Sequence, residues 1–356
     1  MIYTMADVPF WSMPNVMTPD SAERANTFSL GRTGNGIGSA IPTVLFAVLG
    51  FIMPTDGLSA EATLAVDKKK YIILALVGSV IGILLYANAS LHVKERIVIP
   101  THKKQADERG SLYRVFHCKP LMLVILMGIL SSGRYLMQAA ATHVSRYAFA
   151  GQKSAMVFTV LQVCSAAGMF GAMLFMPVLM KKYDYKKIVI VSCTAGFAAS
   201  LVTTLVGWNT DNVLFLIPFI LLQCIPLGVL NIISYAMIGD CLDAMELETG
   251  FRDNGLASAL AGFVNKLGNA LATAGISLMY MYIGLNPKDM LASKASAITL
   301  SSKQRFGMFS LVSIIPGISL LLCTIPILFY DLTGAKKAKI AEELTKQREK
   351  TGVVVE

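Results

Sequence analysis

Tyr3, Asp7 and Trp11 stand four residues apart in the opening stretch MIYTMADVPFWSM. On a helix that spacing puts them on one face, and Thr4, seven residues before Trp11, shares that side. A carboxylate accepts hydrogen bonds from hydroxyls, and an aromatic ring covers the apolar face of a pyranose. The set therefore has the parts of a carbohydrate site. The same residue types also mark a membrane interface, with Asp7 near the surface. Two more charges sit inside apolar runs: Arg134 in LSSGRYLMQ and Lys266 in the long Ala- and Gly-rich stretch 254–287. A charge within a hydrophobic span costs several kcal/mol unless it faces protein or water. Lys266 lies fourteen residues beyond Arg252, about 21 Å at helical rise. That is too deep for easy snorkelling in a core of about 30 Å, so a role in a polar cavity competes with structural pairing to a carboxylate. Arg134 has two readings as well: it binds a substrate carboxylate, or it bonds backbone carbonyls in the bundle. Gln138 shares its face.

By composition, 54% of the 356 residues are hydrophobic and 15% are charged, against about 25% charged in soluble domains. The chain is expected to be an all-α membrane protein. Its formal charge of +9 lies in the loops between apolar runs, as the positive-inside rule has it. It is not gathered on one arm or face, which argues against a nucleic-acid partner. None of the six cysteines forms a C-x-x-C, and four lie in apolar runs, so a zinc site or disulfide framework is not expected. There is no H-E-x-x-H and no G-x-S-x-G, and His92, His102, His117 and His143 are scattered. No enzyme chemistry and no cofactor is expected. GRTGNGIG at 31–38 follows no strand, so it fails as a phosphate loop; small residues for close helix packing fit better. Arg32, at the mouth of that span, is either a charge anchor or a partner of Asp7 and substrate.

Charge-free runs fall at 33–55, 71–93, 154–180, 188–210, 212–239 and 306–330, and two more at 120–145 and 254–287 are interrupted only by Arg134 and Lys266. With residues 1–17 these give about nine spans. Residues 94–119 hold seven basic and three acidic residues, and KKYDYKK at 181–187 holds four and one. Both loops, and the tail, are assigned to the cytoplasmic side. The acidic 240–253 segment is read as a loop on that side, and the 288–305 loop is placed outside.

Asp240, Asp243, Glu246, Thr249, Gly250, Arg252 and Gly255, followed by Phe263, Lys266, Gly268 and Ala270, carry a pattern D-x-x-D-x-x-E-x-x-T-G-x-R-x-x-G…F-x-x-K-x-G-x-A. Tyr3, Thr4, Asp7, Pro9, Phe10 and Trp11, then Thr18, Asp20, Glu23 and Arg24, carry a second. Together they resemble the glycoside–pentoside–hexuronide:cation symporters, the melibiose-permease-like branch of the major facilitator superfamily. The family's usual tyrosine after the second aspartate is Ala244 here.

The resemblance implies a major facilitator fold beginning at the fourth span, N-terminally truncated, with spans 4–12 present. It divides the chain into a partial N-terminal bundle at 1–93, a central linker at 94–117, a six-helix bundle at 118–332 and a tail at 333–356. Spans one to three would come from upstream sequence or another chain. The implied function is cation-coupled symport of a sugar, glycoside, pentoside or hexuronide by alternating access, in the plasma (inner) membrane with the C-terminus cytoplasmic. The coupling ion would be Na⁺, H⁺ or Li⁺. Asp7 would accept sugar hydroxyls and Trp11 would stack on the ring. Tyr3 and Arg32 would line the same cavity, Thr4 and Asp7 would supply cation oxygens, and Lys266 would face the cavity carboxylates. In the family further cation ligands lie in the second span, so Thr4 and Asp7 alone are too few. A non-transporting scaffold or receptor, a degenerate carrier, and a lipid-type solute carrier are the competing readings.

Overall fold

The computed structural model describes residues 2–18, 20–53, 60–93, 110–149, 154–208, 210, 212–284 and 301–351. Among these the chain is helical and has no strand. The opening run breaks into α1 (Ile2–Ser12) and α2 (Pro14–Met17), where Pro14 opens a new helix at a position that needs no amide donor. Then come α3 (Ser21–Ile52) and α4 (Ala60–His92). The linker's described end is a short helix, α5 (Ser111–His117).

Arg134 lies where the sequence predicts one unbroken span. The structure instead gives α6 (Lys119–Leu130), a 3₁₀ segment (Ser131–Tyr135), α7 (Leu136–Ala139) and α8 (Ala141–Tyr147). Next are α9 (Ser154–Lys182), α10 (Tyr185–Gly207), α11 (Ile217–Thr249) and α12 (Asn254–Tyr282). The predicted run 306–330 is divided between α13 (Ser302–Ser310) and α14 (Ile314–Leu328), and α15 (Gly334–Thr351) closes the chain. Residues 288–300 of the expected outer loop lie outside the described residues, as do 94–109 of the linker.

Six stretches among the described residues are long and apolar enough to cross a membrane: 68–92, 119–139, 156–182, 185–207, 213–249 and 302–328. Helix α12 is not among them. It carries Gly, Ser, Thr and Asn residues through its length and brings Lys266. A helix of that kind is suited to facing an interior or a cavity, not lipid on all sides.

Helices α9, α10, α11 and α14 pack closely, and α6 joins them through α14. Small residues set these approaches. A Cβ on Gly196 would lie 2.4 Å from Pro226 Cγ, and one on Gly228 would lie 2.2 Å from the Met169 carbonyl oxygen. The glycine-rich 31–38 segment is continuous helix; Gly36 meets the Phe170 ring on α9, while Gly34 and Gly38 meet nothing among the described residues, so the packing role falls to Gly36. The core divides in two at the 3₁₀ segment. One cluster gathers Trp11, Phe28, Leu121, Tyr235 and Tyr330; the other gathers Leu136, Val144, Leu216, Tyr280 and Phe309. Across the N-terminal part, α3 packs on α9 and α11, and α1 packs on α12. These contacts bring the two sequence motifs together.

Candidate functional site

Asp7 and Trp11 meet one helical turn apart on α1, where Trp11 Nε1 donates to Asp7 Oδ1 at 3.0 Å. Arg32 of α3 lays its guanidinium over the indole, Cζ 3.7 Å from the ring centroid. Gly31 keeps that side of α3 flat: a Cβ there would already touch the Trp11 ring at 3.6 Å. Tyr235 of α11 closes the group, its ring 5.5 Å from Trp11 and 4.4 Å from the Arg32 Cζ. Trp11 is buried, and Arg32 occupies one of its faces. Any ring stacked on that face must displace the guanidinium. A cation over an aromatic face is worth about 0.5–2 kcal/mol, a modest cost for exchange.

Polar contacts continue from Tyr235 in a line. Asn265 Nδ2 donates to the Tyr235 hydroxyl at 2.9 Å. The Tyr135 hydroxyl donates to Asn265 Oδ1 at 2.9 Å, and Arg134 Nη2 donates to the Tyr135 hydroxyl at 2.9 Å. Gly268 makes room for this line, because a Cβ there would lie 2.8 Å from Tyr135 Cε2 and 2.9 Å from Ser132 Oγ. The relay thus joins α3, α11, α12 and the 3₁₀ segment. Lys266, adjacent to Asn265, is exposed. Asn269, Thr273 and Ser277 come after it at spacings of three and four, so they lie on the same helix face.

Tyr3 and Thr4 belong to the first turn of α1, and their side chains lie outside the described residues. The structure therefore brings Asp7, Trp11 and Arg32 together and ties Arg134 to them through three intermediates. Tyr235, Asn265 and Tyr135 escape sequence reasoning. The available signal is a polar residue inside each apolar run: Asn231, Ser234 and Tyr235 in NIISYAM, and Asn265 beside Lys266. Among the described residues no three His, Cys, Asp or Glu side chains cluster as metal ligands.

A second cluster forms beside the tail helix. The 240–253 segment is not a loop throughout: α11 runs on to Thr249 and ends at Gly250, whose φ of 73° is the left-handed cap that glycine adopts without strain. That turn returns Arg252 to its own helix. Arg252 Nη1 contacts Asp243 and pairs with Glu246 at 2.9 Å. Arg24, from the start of α3, pairs with Asp240 at 3.0 Å and Asp243 at 2.7 Å. Burial opposes the Arg24 charge, but Asp243 and Asp240 outweigh it and hold the guanidinium above its ordinary range. Lys337 of α15 reaches Asp240 at 2.7 Å, and Arg114 pairs with Asp253 at 2.9 Å. Gly239 allows this approach, since a Cβ there would lie 2.6 Å from Arg24 Nε.

The packing of long apolar helices around buried polar residues defines an integral membrane protein of transporter type, not an enzyme. Residues 1–334 match the family described as MFS/sugar transport protein, and the chain belongs to that family. It is 23% identical over 348 residues to YjmB of Bacillus subtilis (strain 168), described as an uncharacterized symporter, covering 96% of this chain and 70% of that one. It is 25% identical over 365 residues to the lactose permease of Lactobacillus delbrueckii subsp. bulgaricus, covering 98% of this chain and 53% of the permease. The chain thus spans about half the length of that second relative. The crystal structure of the major facilitator superfamily transporter FucP in the outward conformation shares the fold, with TM-score 0.58 at 14% identity over 91% of this chain and 72% of that one.

Proposed function

We propose that the chain forms the substrate-bearing body of a secondary carrier that moves a sugar, glycoside, pentoside or hexuronide together with Na⁺, H⁺ or Li⁺ by alternating access. The observation that carries the reading is the Asp7–Trp11–Arg32 group. A carboxyl acceptor, an indole and a displaceable guanidinium meet where α1 and α3 face α11. Similarity to a lactose permease supports a sugar as cargo. In this reading Asp7 accepts sugar hydroxyls, Trp11 stacks on the ring, and Tyr3 and Arg32 line the cavity. Thr4 and Asp7 contribute oxygens to the cation, whose remaining ligands come from spans supplied upstream or by another chain. Lys266 faces the cavity carboxylates from α12. The bundles divide at the linker 94–117 as 1–93 and 118–332, the protein sits in the plasma membrane, and the tail from 333 is cytoplasmic.

The test uses the two tryptophans of the chain. In a Trp208→Phe protein held in lipid nanodiscs, Trp11 is the sole indole emitter. Methyl β-D-galactoside, methyl β-D-xyloside and methyl β-D-glucuronide represent the three sugar classes. At least one is expected to change Trp11 emission saturably, and Asp7→Ala to abolish the change. Absence of any saturable change with all three, or unaltered affinity in Asp7→Ala, overturns the assignment.

A further inference from the structure

Arg134 is the most unusual charge in the structure. It is 4% exposed, yet its Nε and Nη1 have no hydrogen-bond partner among the described residues. Its one side-chain bond is from Nη2 to the Tyr135 hydroxyl, and no carboxylate pairs with it among those residues. Taking a guanidinium out of water without a counter-charge costs several kcal/mol. Tyr135 offsets only part of that cost, through its hydroxyl and through its ring face 4.9 Å from Arg134 Cζ, a contact worth about 0.5–2 kcal/mol.

The surroundings show what would offset it. Arg134 lines a cavity of about 20 Å³ together with Gly128, Asn231, Ser234 and Asn265. That space holds one group of about the size of a water molecule, not a pyranose ring. The two unpartnered nitrogens are donors, so the missing group is an acceptor. Guanidinium forks match planar or tetrahedral oxyanions through paired N–H···O bonds. The relay Arg134–Tyr135–Asn265–Tyr235 leads from this cavity to the Trp11 ring. Charge points the same way: within the Trp11 group and the relay, Arg32 and Arg134 stand against one carboxylate, Asp7.

We propose that the cargo carries a fixed negative charge, a uronate carboxylate or a sulfonate on a sugar, and that Arg134 holds that group. The proposal rests on the sugar-carrier reading above and narrows it. Neutral glycosides leave the Arg134 nitrogens unpaired and bind less well.

Methyl β-D-glucuronide and methyl β-D-glucoside differ only at C6, carboxylate against hydroxymethyl. In nanodiscs, titration calorimetry on the full chain is expected to show the glucuronide bound at least tenfold tighter. Arg134→Gln is expected to weaken the glucuronide at least tenfold and the glucoside less than twofold, with Arg134→Lys between. Arg134→Gln is also expected to melt no lower than the parent, because it removes an uncompensated buried charge; a purely structural arginine would melt lower. Equal affinity for the two sugars in the parent chain overturns the proposal without recourse to any variant. So does an equal loss of both in Arg134→Gln. Binding of methyl β-D-galactoside but not of the glucuronide sinks the anionic cargo and leaves the carrier reading standing. Binding of none of these sugars removes both.

Discussion

Two regions of this protein bury arginines, and they treat them oppositely. Beside the tail, Arg24 and Arg252 each reach two carboxylates, and Lys337 and Arg114 find one each. Along the Trp11 relay, Arg32 covers aromatic rings and Arg134 bonds a tyrosine hydroxyl, and neither reaches a carboxylate among the described residues. The first arrangement is closed on itself and joins α3, α11 and α15. The second leaves donors available. Paired charges fix helices in one arrangement, whereas unpaired ones keep capacity for something that comes and goes. The same side-chain type therefore marks a fastening in one place and a recognition element in the other.

The sharpest way to break the contrast is Asp243→Asn. It strips a counter-charge from both Arg24 and Arg252, so a loss of roughly 3–5 kcal/mol is expected, read as a lower melting temperature in detergent. An unchanged melt would mean that the tail-side cluster fastens nothing. Gly239→Ala comes next. The added methyl meets Arg24 Nε at 2.6 Å and Asn15 Oδ1 at 3.0 Å, and overpacking of this kind costs about 1–3 kcal/mol. Arg24→Lys in the same background offers a slimmer head group and is expected to recover part of that loss. Lys337→Ala removes a partly exposed partner and is expected to cost about 1 kcal/mol or less. Its clearest readout is faster proteolytic cutting within α15 than in the parent. Arg134→Gln completes the series with no loss of melting temperature, and a fall as large as that of Asp243→Asn would erase the distinction between the regions.

Much of this is legible in the residues themselves. Four-residue spacing places Asp7 and Trp11 on one face, and they are hydrogen-bonded there. The acidic pattern 240–246 and Arg252 announce a cluster, and Arg24 comes from the other motif, 216 positions earlier than Asp240. What sequence does not show is that these two motifs touch, because nothing local encodes a contact of that separation. The acidic segment reads as a loop because four carboxylates interrupt an apolar run. It stays helical to Thr249 because Arg24, Arg252 and Lys337 neutralise it from outside the helix. The hydropathy signal is weak in α12 for the reason that makes it interesting: its small and polar residues serve close packing and the relay. The Tyr135–Asn265–Tyr235 line escapes notice because each member is individually ordinary in a membrane helix.

The 3₁₀ segment Ser131–Tyr135 has a mechanical meaning beyond aiming Arg134. A 3₁₀ turn rises about 2.0 Å per residue and an α turn about 1.5 Å. Rewinding these five residues into α form shortens the path by roughly 2.5 Å and rotates α7, the next helix along, by about 100°. Gly133 N–H is held by Ser319 Oγ at 2.9 Å, and that hydroxyl in turn donates to the Leu130 carbonyl at 2.5 Å, so one serine on α14 keeps the segment wound tight. A spin label at exposed Leu126 on α6 and another at exposed Gln138 on α7 would report any such change as a shift in distance. The segment is in effect a screw thread cut into a straight rod, with Ser319 as the pin that sets its travel.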